Sequence, residues 1–381
     1  MLLTIIYLAF ISLGLPDSLL GSAWPILYRQ IDVPLSYSGI VFMIISAGTI
    51  LSSLNSDRLT KKFSVKIVTA VSVAMTMIAL FGFSFSGSFI ELCLWAIPYG
   101  LGAGSIDAAL NNYVALHYES RHMSWLHCMW GVGATLGPYI MSIALSHDEN
   151  WRLGYRSIAF IQLALTAVLF LTLSLWKNGN KEEEKAETIP LLEVIRIKGV
   201  KEIMLAFFCY CAIEQTCGLW AASWLVKAKG ISEVKAANYA AFFFLGITAG
   251  RAISGFITYK LNDRQMIRLG EGIIGIGLLM MLQPYSESLS LFSLIIIGLG
   301  CAPIYPSFIH TTPVLFGEKR SQSIIGVQMA SAYVGNIAMP PLFGLIAQHI
   351  SISLLPYYLV ALALVMFVMH EKLVRERKNN S

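Results

Sequence analysis

Long apolar segments alternate with short polar segments along almost the whole chain. A helix needs about 20 apolar residues to cross the hydrocarbon core of a bilayer. Segments this long, without apolar–polar alternation, satisfy their own backbone hydrogen bonds in lipid as helices. We therefore predict an all-α membrane protein with twelve transmembrane helices, called spans 1 to 12 in chain order. The spans are Met1–Tyr28, Leu35–Asn55, Ser64–Phe85, Ile90–His117, Met123–Ser146, Tyr155–Trp176, Val200–Val226, Val234–Thr258, Met266–Pro284, Leu289–Phe316, Gln322–His349 and Ser353–His370.

One polar stretch of mixed charge, Lys177–Lys198, divides the chain near its middle. We interpret 177–199 as a cytoplasmic linker with a short interfacial helix around Leu191–Ile197. The predicted domains are an N-terminal six-helix bundle, 1–176, and a C-terminal six-helix bundle with a short basic tail, 200–381.

The composition excludes the soluble and disordered classes. Of the 381 residues, 56% are hydrophobic and 13% are charged, and the mean hydropathy is +0.67. Soluble domains have about 25% charged residues, and disorder needs low hydrophobicity. The six cysteines all lie in apolar segments, which favours buried free thiols over metal or redox chemistry.

Lysine and arginine residues are sorted by membrane side. The even-numbered connections and the C-terminal tail carry twenty of them, and the odd-numbered connections carry six. Positively charged loops face the cytoplasm, so we expect both termini there, in the plasma membrane. This sorting also argues against a nucleic-acid surface, although the net charge is +5. The first segment lacks the basic n-region of a signal peptide, and we interpret it as span 1.

The two halves of the chain resemble each other. Trp24 in LLGSAW matches Trp224 in LWAASW, and the segment from Tyr99 matches the segment from Gly298. GVGATLGP, from Gly131, has a counterpart about 200 residues later. Repeated six-helix halves with a central linker are typical of large secondary transporters.

Three acids, Asp17, Asp107 and Glu214, lie well inside spans 1, 4 and 7. A carboxylate at this depth is costly unless it is paired, hydrated or protonated, and such groups usually act in ion or proton pathways. We predict proton coupling at these acids; a purely structural pairing is the alternative. Helical spacing places Asp107 and Asn111 on one face of span 4.

Other polar and aromatic side chains suit a polyhydroxylated ligand, because sugars combine apolar faces with many hydroxyls. We expect a cavity lined by spans 1, 4, 7 and 10 or 11. The alternatives are interface anchoring for the tryptophans and inter-helix hydrogen bonding for the amides. The substrate-binding candidates are Trp24, Asn111, Asn112, His127, Trp130, Glu214, Gln215, Trp220, Trp224, Tyr305, His310, Gln328 and Asn336.

Arg251 is the one Lys or Arg deep in a predicted span. We favour a structural clamp near the cytoplasmic end, with Glu318 as its partner, over pairing with an acid of the same half.

Four segments resemble a known family. Ser53-x-x-x-Asp57-Arg58-Leu59-Thr60-Lys61-Lys62 resembles the motif between helices 2 and 3 of the major facilitator superfamily, with Ser53 and Thr60 in place of two glycines. Three segments are similar to the fucose and glucose/galactose permeases: IDAALNNYV from Ile106, CAIEQTCGLWAASWLV around Glu214, and the span 5 segment from His127 to Pro138.

The resemblance implies the twelve-helix major facilitator fold and a fucose:proton symporter type of activity. It implies that Asp57, Arg58 and Lys61 form a cytoplasmic gate, and that Asp107 couples proton and sugar movement. Asp17 matches the coupling acid of helix 1 less closely, because it lies about one turn farther from Pro25 than the family pattern.

We predict cation-coupled uptake of a sugar by alternating access, with the proton as the cation and sodium as its alternative. Proton-driven efflux of a drug or metabolite on the same fold is the alternative function. Efflux antiporters of the superfamily usually continue Gly-Pro with Gly-Gly two residues later, whereas Tyr139 and Ile140 follow Gly137-Pro138 here. A membrane sensor would leave the central acids unexplained.

No enzyme is indicated, because the sequence has no G-x-x-x-x-G-K-[ST] nucleotide loop. We predict no cofactor, no metal and no nucleic-acid partner. The predicted partners are a small-molecule substrate, a coupling cation and the lipid bilayer, and we expect a monomer.

Overall fold

The computed structural model describes residues 2–117, 120–148, 150–176, 191–257, 260–283 and 286–378. These ranges form fifteen α-helices and no strand. The helices are α1 (Leu2–Asp17), α2 (Leu19–Gln30), α3 (Tyr37–Phe63), α4 (Val65–Phe85), α5 (Phe89–His117), α6 (Ser120–Leu145), α7 (Trp151–Leu171), α8 (Leu191–Arg196), α9 (Val200–Lys229), α10 (Glu233–Ile257), α11 (Asp263–Met281), α12 (Glu287–Cys301), α13 (Ile304–Phe316), α14 (Glu318–Ile346) and α15 (Leu355–Lys378).

The all-α membrane fold is confirmed. Helices α1 and α2 together form span 1, α3 to α7 form spans 2 to 6, and α9 to α11 form spans 7 to 9. Helices α12 and α13 form span 10, and α14 and α15 form spans 11 and 12. In the described part of the chain, nine helical stretches are long and apolar enough to cross a membrane, and one of them, Ile324–Glu376, covers two predicted spans.

Several helices begin before the apolar segment that predicts them. Helix α7 begins at Trp151, where the Asn150 side chain accepts a hydrogen bond from the Leu153 amide at 3.0 Å. Helix α11 begins after Asn262, which forms a reciprocal capping box with Gln265. Capping residues are polar, so a hydropathy pattern excludes them from the span.

Spans 1 and 10 are each broken near their middle. Span 1 breaks at Ser18, between α1 and α2, next to Pro16. Span 10 breaks around Ala302 and Pro303, where the proline ring cannot continue the backbone ladder. A break inside a span exposes backbone groups that side chains must satisfy.

Contacts within the chain define two compact units. The first unit comprises Met1–Gly179, Gly218–Leu245 and Gly344–Ser353. The second unit comprises Asn180–Cys217, Gly246–Phe343 and Leu354–Ser381. Boundaries between the units fall inside α9, α10 and α14, so the predicted domain limits at residues 176 and 200 stay a prediction.

In the first unit, glycines bring α6 against α1. A Cβ atom on Gly133 would lie 2.0 Å from the carbonyl oxygen of Ile11, and one on Gly137 would lie 2.1 Å from that of Leu15. This small-x-x-x-small pattern lets two helix backbones approach closely in a membrane. It fixes α6 beside the break in span 1.

In the second unit, α11 packs on α12, α13 and α15. A Cβ atom on Gly270 would lie 2.6 Å from the carbonyl oxygen of Gly300, so α11 and α12 also approach closely. Arg268 of α11 makes a two-pronged ion pair with Glu371 of α15, at 2.6 and 2.8 Å. These contacts hold the ends of spans 9 and 12 together.

Candidate functional site

The break in span 1 positions Asp17, the last residue of α1. The Ser18 hydroxyl donates to the carbonyl oxygen of Ala134 on α6 at 2.9 Å, and the Ser22 hydroxyl donates to the carbonyl oxygen of Ser18 at 2.9 Å. The four residues before Asp17 are buried, whereas Asp17 itself is accessible to solvent. The broken helix thus presents a carboxyl group inside the first unit at mid-span.

Each oxygen of Asp17 has its own donor. The Tyr99 hydroxyl of α5 donates to Oδ1 at 3.1 Å, and the Trp130 indole N–H of α6 donates to Oδ2 at 2.8 Å. Two donors on one carboxyl group suit its ionised form, which only accepts. Trp130 is a predicted site residue, and Tyr99 is one that the sequence analysis missed.

Asp107 lies near this carboxyl group, close enough for the two acids to interact electrostatically. The Asn111 side-chain amide donates to Asp107 Oδ1 at 2.9 Å, as their spacing predicts. Among the described residues, the Asn111 Oδ1 atom has no hydrogen-bond partner. The side chain of the third predicted residue of this segment, Asn112, lies outside the described residues. Asp17, Asp107 and Asn111 therefore form one polar group in the first unit.

The other three predicted tryptophans are buried in the first unit. Trp24 is fully buried and donates from its indole to the carbonyl oxygen of Leu35 at 2.7 Å. Trp220 and Trp224 are also fully buried, and Lys229 lies over the Trp224 ring at 5.2 Å. Their role in ligand binding stays a prediction, whereas Trp130 contacts the carboxyl group of Asp17.

His127, also predicted as a ligand contact, lies half-buried on α6. Its ring packs edge-on against Phe10 of α1, with 5.9 Å between the ring centres. This contact is one turn from Trp130, on the same pair of helices as Asp17.

The second unit holds a separate polar group around Glu214. The Tyr210 hydroxyl donates to Glu214 Oε2, one turn away on α9. The Tyr305 ring lies 6.3 Å from the Tyr210 ring, and its hydroxyl contacts the sulfur of Met329 at 3.4 Å. Gln215 is half-buried beside Glu214.

Three other predicted ligand contacts lie elsewhere in the second unit. Gln328 is fully buried and accepts a hydrogen bond from the Thr312 hydroxyl at 3.1 Å. Asn336 is half-buried, and its Oδ1 atom has no hydrogen-bond partner in the described part of the chain. His310 is exposed and pairs with Asp263 at 2.7 Å, at the start of α11. Position along the helix did not predict the contact of Gln328 with Thr312 or that of His310 with Asp263.

The predicted gate residues are only partly described. Arg251 is half-buried on α10. The side chains of Asp57, Arg58, Lys61 and Glu318 lie outside the described residues. The cytoplasmic gate and the Arg251–Glu318 clamp therefore stay predictions.

A buried glutamate–histidine contact was not predicted from the sequence. Glu271 of α11 and His370 of α15 lie 3.0 Å apart, with side chains 4% and 2% exposed. The His370 ring and the Glu271 carboxyl group are within hydrogen-bond distance, although the two residues are 99 positions apart in the sequence. Nothing in the local pattern of either span indicates this partner.

All six cysteines are free thiols. Within the described ranges, no cluster of three or more His, Cys, Asp or Glu side chains could hold a metal ion. The polar groups around Asp17 and around Glu214 can form hydrogen bonds and can take up or release protons inside a helical membrane protein.

These features define a multi-pass membrane transporter. The sequence matches the Major Facilitator Superfamily over residues 6–283 and 203–381. The chain therefore belongs to that family, whose members are transporters rather than enzymes.

Curated relatives are distant but cover most of the chain. A Saccharomyces cerevisiae protein called bypass of stop codon protein 6 is 23% identical, over 96% of this chain and 81% of its own. The glucose/mannose transporter of Bacillus subtilis is 21% identical, over 89% and 86%. The human sodium-dependent glucose transporter 1 is 21% identical, over 89% and 72%.

A solved structure has the same fold. It is a bacterial homologue of the human lysosomal transporter Spinster, in an inward-facing and unoccupied conformation. The TM-score is 0.74, at 13% identity, covering 98% of this chain and 97% of that one. The likeness confirms the major facilitator fold.

Proposed function

We propose that this transporter imports a monosaccharide together with a proton, by alternating access. The observation that carries the proposal is the Asp17 group. Two donors hold the two oxygens of one accessible carboxyl group at a break in a transmembrane span. A carboxyl group held in this way can lose and regain a proton without leaving the protein interior.

The coupling of sugar movement to proton movement follows from the negative charge of the ionised acids. Moving a bare carboxylate through a closed, water-poor protein is unfavourable, so the loaded carrier reorients after Asp17 or Asp107 has taken up a proton. Asp107 is near enough to Asp17 for the two charges to oppose each other. That repulsion makes it unfavourable for both acids to be ionised at once.

Two features support a sugar as the substrate. Relatives over most of the chain bear names that specify glucose, mannose or galactose. In addition, Asn111 and Asn336 each have an amide oxygen without a partner in the described residues, and sugar hydroxyls are donors for such atoms. We assign Glu214 and its neighbour Gln215 to substrate binding in the second unit. The transporter acts as a monomer in the plasma membrane, with both termini in the cytoplasm.

The test is radiolabelled D-glucose uptake by purified protein in liposomes. We expect accumulation when the interior is made alkaline, and only equilibration when no gradient is imposed. Accumulation driven by an inward sodium gradient alone would replace the proton with sodium, the ion named for the human relative. A lack of uptake for D-glucose, D-mannose and D-galactose under both gradients would overturn sugar import in favour of efflux.

A further inference from the structure

A small cavity lies between α2 and α9, and every residue that lines it belongs to the first unit. The two helices approach closely one turn before the cavity, because a Cβ atom on Gly21 would lie 2.6 Å from the carbonyl oxygen of Gly218. The cavity volume is about 130 Å³, below the roughly 300–1,000 Å³ of pockets that hold drug-sized ligands. The cavity therefore suits a small ion rather than an organic substrate.

The polar side chains that line this cavity are cationic or neutral. Arg29 and Lys227 each bring a positive charge, and Tyr28 and Ser223 each bring a hydroxyl group. The remaining lining residues are apolar, and within the described ranges no acidic side chain lines the cavity. A lining of this kind favours an anion.

The charges around the cavity leave a surplus of one positive charge. Arg29 Nη2 donates to Glu233 Oε1 at 2.5 Å, and Glu233 does not line the cavity. The Lys227 ammonium nitrogen lies over the Tyr28 ring at 5.0 Å and has no ion pair with a described residue. Because a guanidinium has five N–H donors, Arg29 keeps donors for a ligand while it holds Glu233.

The hydroxyl group of Ser223 lacks a hydrogen-bond partner. The residue is 1% exposed, and its Oγ atom has no partner in the part of the chain that the structure describes. A serine within a helix can donate to the carbonyl oxygen one turn back, as Ser22 does to Ser18. A buried polar group without a partner is costly, so a ligand that accepts the Ser223 hydrogen is favoured here.

We propose that this cavity binds a small monovalent anion, chloride, between Lys227, Arg29 and the Ser223 hydroxyl. The two cations supply charge and N–H donors, and the hydroxyl donates its unused hydrogen. One chloride neutralises the surplus charge, whereas a divalent anion would overcompensate it. The Lys227 side chain is exposed and the Arg29 side chain is 47% exposed, so the anion enters from water near the ends of α2 and α9.

The bound anion joins span 1 to span 7. Ser223 and Lys227 lie one turn apart on α9, whereas Arg29 lies near the end of α2. A ligand that binds only the folded protein raises the unfolding temperature. The inference goes beyond the proposed function, because chloride binding needs neither a sugar nor a proton gradient.

The test is thermal unfolding of the purified full-length protein, with sodium chloride replacing sodium gluconate at constant ionic strength. Constant ionic strength keeps the screening of surface charges the same. Chloride at ten times its dissociation constant should raise the unfolding midpoint of the wild type by about 3 °C. Lys227→Gln and Ser223→Ala should each raise that dissociation constant about tenfold, because each loses one charge-assisted hydrogen bond.

Two matched variants are the controls. Lys229 lies over the Trp224 ring at 5.2 Å, near the same end of α9, but it does not line the cavity. Lys229→Gln should therefore keep the chloride shift. Ser38 is fully buried, and its Oγ atom also lacks a partner among the described residues. Ser38→Ala should keep the shift as well, because Ser38 lies outside the cavity lining.

The line width of the chloride NMR signal is the second measurement, at a temperature where all variants are folded. The wild type should broaden this signal, and Lys227→Gln and Ser223→Ala should broaden it less at the same chloride concentration. A wild type with no chloride shift and no broadening would overturn the inference and leave water in the cavity. A response that persists unchanged in Lys227→Gln and Ser223→Ala, or that is weakened equally in the two controls, would also overturn it.

Discussion

The buried contact between Glu271 and His370 leads to a prediction about the stability of the protein. Their side chains are 4% and 2% exposed, and His370 Nδ1 lies 3.0 Å from Glu271 Oε2. Removing one partner of such a pair leaves an uncompensated buried group and costs about 3–5 kcal/mol. We therefore expect His370→Leu to be strongly destabilising.

Replacing both partners should restore most of the loss. An apolar pair of similar volume is about as stable as a buried pair of this kind, because neither side chain then loses favourable hydration on folding. Glu271→Met combined with His370→Leu should therefore unfold close to the wild type. In this double variant, the Phe308 ring that packs edge-on against His370 keeps an apolar neighbour.

The assay is thermal unfolding of the detergent-solubilised protein. Unfolding is monitored by the reaction of its six free cysteines with a fluorescent thiol reagent. The single variant should unfold about 5–10 °C below the wild type, if each kcal/mol shifts the midpoint by about 2 °C. The neighbouring pair of Arg268 and Glu371 is the control. The Arg268 side chain is 46% exposed, so Arg268→Gln should have an effect of less than about 1 kcal/mol.

Two results would refute this reasoning. One is a His370→Leu variant that unfolds with the wild type, which would mean that the pair contributes nothing. The other is a double variant no more stable than the single one, which would mean that packing around the site, rather than its charge, determines the loss.

Three further predictions concern the site and the fold. Asp107→Asn should abolish gradient-driven accumulation of D-glucose while counterflow exchange continues, because a permanently neutral site still reorients when loaded; full accumulation would remove Asp107 from coupling. Glu214→Gln should weaken D-glucose binding about tenfold, the loss of one charge-assisted hydrogen bond, and unchanged affinity in calorimetry would make Glu214 structural. Gly133→Leu should lower the unfolding temperature, since its Cβ atom would lie 2.0 Å from the Ile11 carbonyl oxygen, whereas Gly272→Leu, where a Cβ atom meets nothing within 4 Å, should not.

The spans could be predicted from sequence because bilayer thickness fixes the length of an apolar helix. The breaks in spans 1 and 10 were not predicted, because Pro16 and Pro303 show where a helix can bend but not that it stops there. At Ser18, the carbonyl oxygen accepts a hydrogen bond from the Ser22 hydroxyl, and the Ser18 hydroxyl donates to the carbonyl oxygen of Ala134 on α6. Such a partner, 116 residues away, leaves no signal in a local pattern.

The candidate site could be predicted in part. The pairs Asp107–Asn111 and Tyr210–Glu214 follow from i, i+4 spacing on one helix, and both are present. Tyr99 of α5 contacts Asp17 of α1, 82 residues away, so spacing along one helix does not indicate it. The Glu271–His370 pair also depends on a contact between distant helices, which spacing does not reveal.

The central claim is that sugar and proton cross together. The direct measurement uses liposomes with purified protein and a pH-sensitive dye inside, without any imposed gradient. External D-glucose should acidify the interior of liposomes that contain the wild-type protein, and L-glucose should have no effect. D-glucose should not acidify liposomes that contain the Asp107→Asn variant. D-glucose entry, shown by radiolabel, without acidification would contradict proton coupling.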